Sequence, residues 1–244
     1  MVSGHAAKRN HAVLFLGGQP GAGKSSFYQM DDNFSDYIVI NGDQYRKFHP
    51  YYEKMVQSDR ERMPELTQPF VNRIVEGLID KLSTEGYNLI IEGTLREADV
   101  PVRTGKMLKE KGYSTELYVV ACDARKSWES TINRAKLMQE IGEVPRIVPI
   151  GKYDYIVGHI CENLKMIEAS GCMDRITVLG RDSEIFWRDG KGICPSVSQS
   201  LEKILNLPAW RQHLEQYEQQ YEGLLGNIRE PQAEQRMPFR GKGR

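Results

Sequence analysis

The chain lacks long hydrophobic runs. Its longest clean apolar stretch near the start, Ala12 to Leu16, is five residues and meets Gly17 and Gly18 at once. A membrane span or the apolar segment of a secretory signal needs more, so both are excluded. Net charge is missing too: 33 Lys plus Arg balance 33 Asp plus Glu, which leaves no large field to draw the molecule onto nucleic acid or anionic lipid. Neither partner is expected. The four cysteines, Cys122, Cys161, Cys172 and Cys194, show no C-x-x-C spacing and no histidine at metal-ligand intervals. That removes a zinc or disulfide framework and points to reduced thiols in a cytoplasmic protein. No internal repeat is present.

What remains is ample core material, 40% hydrophobic residues over 244 positions, enough for one large domain. Residues 1–11 are polar and small and read as a flexible arm. Continuous apolar runs at 12–16, 37–40, 89–91, 115–122 and 176–179 have the length of strands buried on both faces. Helical patterns lie between them: 23–30, then 53–82 interrupted by Pro64 and Pro69, 101–111, 124–140 and 153–170. Such alternation predicts an α/β fold, a parallel sheet with helices on both faces, over residues 12–180. Ligands of these sheets sit at the carboxyl ends of the strands. The polar residues there are Gly17 to Ser25, Asp43, Glu92 to Arg96 and Asp123. Residues 181–244 form a C-terminal extension: a hairpin turning at Asp189-Gly190, helices over 200–207 and 210–225, and a basic tail with Arg236, Arg240, Lys242 and Arg244.

The most specific motif is Gly18-Gln19-Pro20-Gly21-Ala22-Gly23-Lys24-Ser25, a G-x-x-x-x-G-K-[ST] P-loop in its proper context between a buried strand and a helix. Its glycines let backbone N–H groups turn inward as a nest. Lys24 then reaches the β- and γ-phosphates of ATP, the Ser25 hydroxyl ligates Mg²⁺, and Ser26 completes the nucleotide-binding run. No N-K-x-D element follows, which counts against a GTPase. Leu89-Ile90-Ile91-Glu92 supplies one acid where motor ATPases carry Asp-Glu, which weakens that class.

A kinase needs a base for the acceptor hydroxyl, and Asp43 at the end of the second strand suits the role. Helix capping ahead of Gln44-Tyr45-Arg46 suits it equally. Arg134 and Arg146 lie where nucleoside-phosphate kinases keep a cationic lid, while a solvated surface role explains any arginine taken singly.

Beyond the P-loop, several blocks follow in order: Asn41-Gly42-Asp43 running to His49-Pro50, Glu76 on the long helix, and Gly86 to Thr94 with Arg96. Asp99-Val100-Pro101, Thr104, Lys111-Gly112-Tyr113 and Thr131-Ile132-Asn133-Arg134 come next. Over roughly Ala12 to Gly180 the chain resembles the zeta toxin family, the kinase half of epsilon/zeta-type toxin–antitoxin systems. The resemblance implies a P-loop kinase that uses ATP and Mg²⁺ to phosphorylate the 3′-hydroxyl of the amino sugar of UDP-N-acetylglucosamine, blocking cell-wall precursor synthesis. It implies that Asp43 is the base, that Lys24 and Ser25 hold ATP and Mg²⁺, and that Arg134 and Arg146 clamp the phosphoryl group. Glu76, Glu92, Thr94, Arg96 and Thr104 then line the sugar-nucleotide site, Arg96 offering a planar fork suited to a pyrophosphate. The family's helical antitoxin covers the ATP site. Only eleven residues precede the first strand, too few for a helical bundle, so an antitoxin is expected as a separate chain. Two other readings stand beside this one: a kinase of another small hydroxyl compound (a nucleotide, an NAD-like adenosine or an antibiotic), and a nucleotide-dependent interaction module.

Overall fold

The structure, a computed structural model, describes His5, Ala7, residues 10–29 and residues 32–229. Most of the expected N-terminal arm and the basic tail beyond residue 229 lie outside the described residues. Within them, β1 (Ala12–Gly17), β2 (Ile38–Asn41), β3 (Leu89–Glu92), β4 (Ser114–Val120) and β5 (Arg175–Leu179) form a parallel array. The hairpin strands β6 (Ile185–Arg188) and β7 (Lys191–Gly192) add on antiparallel to β5, and the full order is β2-β3-β1-β4-β5-β6-β7. Leu14, Leu16 and Ile90 point to one face of the sheet, where α1 (Lys24–Gln29) supplies Phe27 and Tyr28. Val13, Phe15, Leu89, Leu117 and Val119 point to the other and pack with α4 (Gln68–Thr84), α5 (Asp99–Glu110) and α7 (Ile150–Ala169). Burial on both faces accounts for the unbroken apolar runs.

The long helical region after β2 is three helices: α2 (Tyr52–Ser58), α3 (Met63–Leu66) and α4. The run is interrupted ahead of Pro64 and Pro69, as expected, and each proline then opens the next helix. Each occupies the first turn, where a missing N–H costs nothing because that donor has no intrahelical partner.

The C-terminal extension closes against the core. Helix α8 (Val197–Leu205) ends at Asn206, whose left-handed backbone (φ 51°) redirects the chain into α9 (Leu207–Gln212). Trp210 of α9 and Tyr217 and Tyr221 of α10 (Leu214–Arg229) pack on Trp128 of α6 (Ala124–Glu140) and Tyr153 of α7. Trp210 stacks on Tyr217 at 4.6 Å between ring centroids and donates its indole N–H to Asp154 Oδ1 at 2.7 Å. The extension thus fastens α6 to α7 from behind. Trp210→Ala should cost about 3–5 kcal/mol of unfolding free energy in urea titrations, with Trp210→Phe recovering part of it.

Candidate active site

The P-loop is shaped by what lies under it. Gly18 has φ +139° and Gly21 φ +77°, and a Cβ on them would stand 2.2 Å from the Val120 carbonyl oxygen and 2.1 Å from that of Ser127. Only glycine lets the loop settle that closely on the end of β4 and the first turn of α6. Gln19 is fully buried and donates to the Cys122 carbonyl (2.7 Å) and to Ser127 Oγ (3.3 Å). Arg181, just past β5, donates to the Gly21 carbonyl (2.6 Å) and Ser130 Oγ (2.9 Å). Lys24 folds back on the loop, donating to the carbonyls of Gly18 (2.8 Å) and Gln19 (3.1 Å). With these carbonyls engaged by cations, the loop's N–H groups are what it offers an anion. Burial pushes the Lys24 ammonium down to about 8; Glu92 and Asp43 oppose the shift and Arg134 adds to it.

At the end of β2 the structure shows which residue caps the turn that follows. The cap of the 3-10 turn Gly42–Phe48 is Asn41, whose side-chain oxygen accepts from the Asp43 N–H at 3.0 Å. Asp43 is therefore released from capping. Its Oδ1 accepts from Arg46 Nε at 2.9 Å, while 55% of its side-chain surface remains open. Burial raises its pKa, but Arg46, Arg146 and Lys152 together outweigh that and hold it below the usual carboxylate value.

Glu92, ending β3, lies between the two. Its Oε2 accepts from Asn41 Nδ2 at 2.8 Å, and burial together with the nearby Glu92 raises the pKa of the Tyr28 hydroxyl. Arg134 of α6 keeps part of its side chain open to solvent. Burial and the neighbouring Arg146 depress its pKa, offset by Asp43 and Glu92, and a guanidinium stays charged regardless. Lys152, in the first turn of α7, is depressed by burial and by Arg96 and Arg46, with Asp43 and Glu65 opposing. The fold therefore gathers Lys24, Asp43, Glu92, Arg134 and Arg146 into one electrostatic cluster.

Other anticipated residues occupy the flanks. Asn163 of α7 donates to the carbonyls of Leu95 (3.0 Å) and Arg96 (2.6 Å), which fixes the turn after β3 that carries Thr94 and Arg96. Arg96 also pairs with Glu97 at 3.2 Å. Glu76 of α4 is engaged by Arg103 of α5 at 3.2 Å, next to Thr104. Asp123 has a structural job: it caps α6, binds Arg125 and accepts from Asn206. Arg46 and Lys152 were missed by sequence reasoning. Both are basic residues on helical segments, a pattern that also marks any solvated face.

A P-loop on β1, an acid closing the adjacent strand β3, a freed carboxylate at the end of β2 and cations from α6 and the following loop define a P-loop phosphotransferase-like protein. The comparisons narrow the class. The family model described as Zeta toxin matches residues 3–191, and the chain belongs to the zeta toxin family. It is 33% identical over 208 residues to Toxin PezT of Streptococcus pneumoniae serotype 4 (strain ATCC BAA-334 / TIGR4), covering 84% of this chain and 82% of that relative. It is 32% identical to Toxin zeta of Streptococcus pyogenes over 209 residues, 84% of this chain and 73% of the relative. A solved structure from the PezAT chromosomal toxin–antitoxin system of Streptococcus pneumoniae superposes with a TM-score of 0.71 at 30% identity, covering 92% of this chain and 90% of that one. Among the described residues no helix is long and apolar enough to cross a membrane, and no cluster of three or more His, Cys, Asp or Glu forms a metal site.

The buried ammonium has a measurable cost. Lys24 lies near 8 when folded against 10.5 for its unperturbed side chain, so its destabilisation is fully present below pH 8 and fades as pH rises toward 10.5. Lys24→Met should therefore stabilise the ligand-free protein at pH 7 by about 1–3 kcal/mol, and the gain should shrink by pH 10 in parallel denaturation series. A gain independent of pH would count against this account.

Proposed function

We propose that this protein is an ATP-dependent kinase that phosphorylates the 3′-hydroxyl of the amino sugar of UDP-N-acetylglucosamine. The observation carrying the reading is the freed Asp43 carboxylate, in one charge cluster with the P-loop lysine and with Arg134 and Arg146. Such an arrangement has a place for each requirement of phosphoryl transfer. Asp43, ionised and open on one side, accepts the proton of the attacking hydroxyl. Lys24 leaves the Gly18 and Gln19 carbonyls for the β- and γ-phosphates, so an anionic ligand relieves the cost of its burial. Arg134 and Arg146 face the charge that spreads over the equatorial oxygens.

The donor set fits Mg²⁺ as this chemistry uses it. Ser25 is exposed at the head of α1, and one hydroxyl suits a cation that completes its shell with phosphate oxygens and water. When bound, Mg²⁺ neutralises charge on the β- and γ-phosphates. On the acceptor side, Thr94 and Arg96 are mounted on the turn after β3, where hydroxyl, acetamido and pyrophosphate groups can be read by hydrogen bonds, with Glu76, Glu92 and Thr104 completing the site.

The family and the likeness to the PezAT structure support action as a toxin restrained by a separate antitoxin chain seated over the ATP site. The cysteines, all free, suit the reducing cytoplasm.

The test is an acceptor screen with ATP and mass detection, run beside Asp43→Asn. UDP-N-acetylglucosamine should gain one phosphoryl group. Asp43→Asn should bind ATP normally while transfer falls by about 10²–10⁴-fold. A mass gain confined to a nucleotide or antibiotic would overturn the acceptor, and near-normal transfer by Asp43→Asn would overturn the base.

A further inference from the structure

Asp43 has two carboxylate oxygens, and among the described residues only Oδ1 has a hydrogen-bond partner. Arg46 Nε donates to Oδ1, and the rest of the guanidinium is pinned behind it. Nη1 donates to the Pro64 carbonyl (2.6 Å) and Thr67 Oγ1 (2.8 Å), and Nη2 to Gln68 Oε1 (2.8 Å). The Arg46 side chain is only 12% exposed. Thr67 Oγ1 is itself fixed, donating to the Met63 carbonyl at 2.7 Å, and Thr67 is fully buried. Four of the five guanidinium N–H groups are thus committed, three of them to the junction of α3 and α4. A surface arginine seeking a counter-ion would gain little and wander. This one is a rigid bracket.

We infer that Arg46 is the positioning residue for the transfer reaction: it holds Asp43 Oδ1 against the α3–α4 junction so that Oδ2 alone is presented to the acceptor hydroxyl. The inference rests on the reading of Asp43 as base. The bracket works with a second contact on the same residue, the Asn41 oxygen on the Asp43 N–H, and Asn41 in turn is tied to Glu92. Backbone and side chain of Asp43 are therefore oriented from two directions, one anchored in the sheet and one in the helices. An untethered carboxylate would rotate and present either oxygen, and misplacement of a reacting group by about 1 Å costs on the order of 10²-fold in rate.

Arg46 also sets the charge state. The groups acting on Asp43 are Arg46 from its own turn, Arg146 from the loop after α6, Lys152 from α7, Lys24 from α1 and Arg134 from α6. Arg46 contributes both a charge and a direct hydrogen bond, and it is the first of the opposing causes. Without it, burial gains ground and the carboxyl protonates at higher pH.

Three full-length variants test this: Arg46→Gln, Arg46→Lys and Gln68→Leu. All are assayed for kcat, KM and pH dependence with the acceptor that the wild type phosphorylates. In Arg46→Gln, kcat should fall about 10–100-fold with little change in KM for ATP. The acid limb of kcat/KM should move up by about 1–2 pH units. Arg46→Lys keeps a cation without the fork, so it should restore the acid limb but not kcat. Gln68→Leu loosens the bracket and leaves the charge, so kcat should drop several-fold with the acid limb unmoved; this variant decides the matter if Arg46→Gln does not fold. An Arg46→Gln enzyme with wild-type kcat and acid limb, or a Gln68→Leu enzyme with wild-type kcat, would overturn the inference. If Asp43→Asn is inactive while these variants behave as wild type, the base stands and the bracket fails. If Asp43→Asn is active, the base itself was misread.

Discussion

Three neighbouring parallel strands end level with one another, and the site follows from that alignment. Leu16 of β1 pairs with Glu92 of β3, and Glu92 pairs with Asn41 of β2. The segments that follow the strands therefore leave the sheet at the same edge: the P-loop from β1, the turn with Thr94 and Arg96 from β3 and, two residues on, Asp43 from β2. Side chains alternate along a strand, so a slip of one residue between β2 and β3 would carry Glu92 away from Asn41 and turn β2's buried Ile38 and Ile40 outward. Their burial at 2% and 1% fixes the register, and the register fixes the chemistry. Hydrophobic packing inside the sheet thus determines where polar groups meet at its edge.

Electrostatics at that edge favour an anion. Five cations act on Asp43, with Glu92 and Glu65 as further acids acting on those cations. Mutual repulsion and burial depress Lys24, Arg134 and Lys152 together. An arrangement that disfavours its own charges in the free protein is relieved by a polyanionic ligand, since the same burial that costs stability strengthens attraction to phosphate. Lys24 illustrates the compromise. Loop carbonyls satisfy the ammonium, so it is not an orphan, yet these neutral partners are weaker than a triphosphate would be.

The legible and illegible parts of this molecule divide by how local their signal is. The P-loop was readable because every determinant lies within eight consecutive residues. The parallel sheet was readable because burial on both faces leaves apolar runs that no solvated strand shows. Asp43 was ambiguous because a capping aspartate and a catalytic one use the same residue at the same place. What could not be read was that Asn41, two positions earlier, takes the cap and leaves the Asp43 side chain free of it. Arg46 could have been noticed as an arginine one turn beyond that acid, but its partners Thr67 and Gln68 are more than twenty positions away across a helix break. Lys152 carries no local signal at all, since only the packing of α7 brings it toward β2. The prolines were legible as breaks in the helical run, but that each would sit in the first turn of the next helix depends on the flanking residues.

Beyond the direct contact of Arg181 with the Gly21 carbonyl, the helices of the extension serve the charged site through packing at a distance. Helix α6 carries Arg134, and α7 carries Lys152 in its first turn, both acting on Asp43. On other faces of the same helices Trp128 and Tyr153 are buried with Trp210, Tyr217 and Tyr221, and Tyr153 also bonds the Ala124 carbonyl at 2.6 Å. Two helices that each hold a cation against neighbouring cations would move apart if only repulsion acted. Large aromatic faces packed behind them oppose that motion, because separating them exposes apolar surface at about 25 cal/mol per Å². Tyr221 adds a tie in the other direction, donating to Glu61 between α2 and α3 at 2.9 Å. The aromatic cluster thus joins the helices bearing the cations to the segment whose α3–α4 junction anchors Arg46, so the cationic and carboxylate halves of the site share one support.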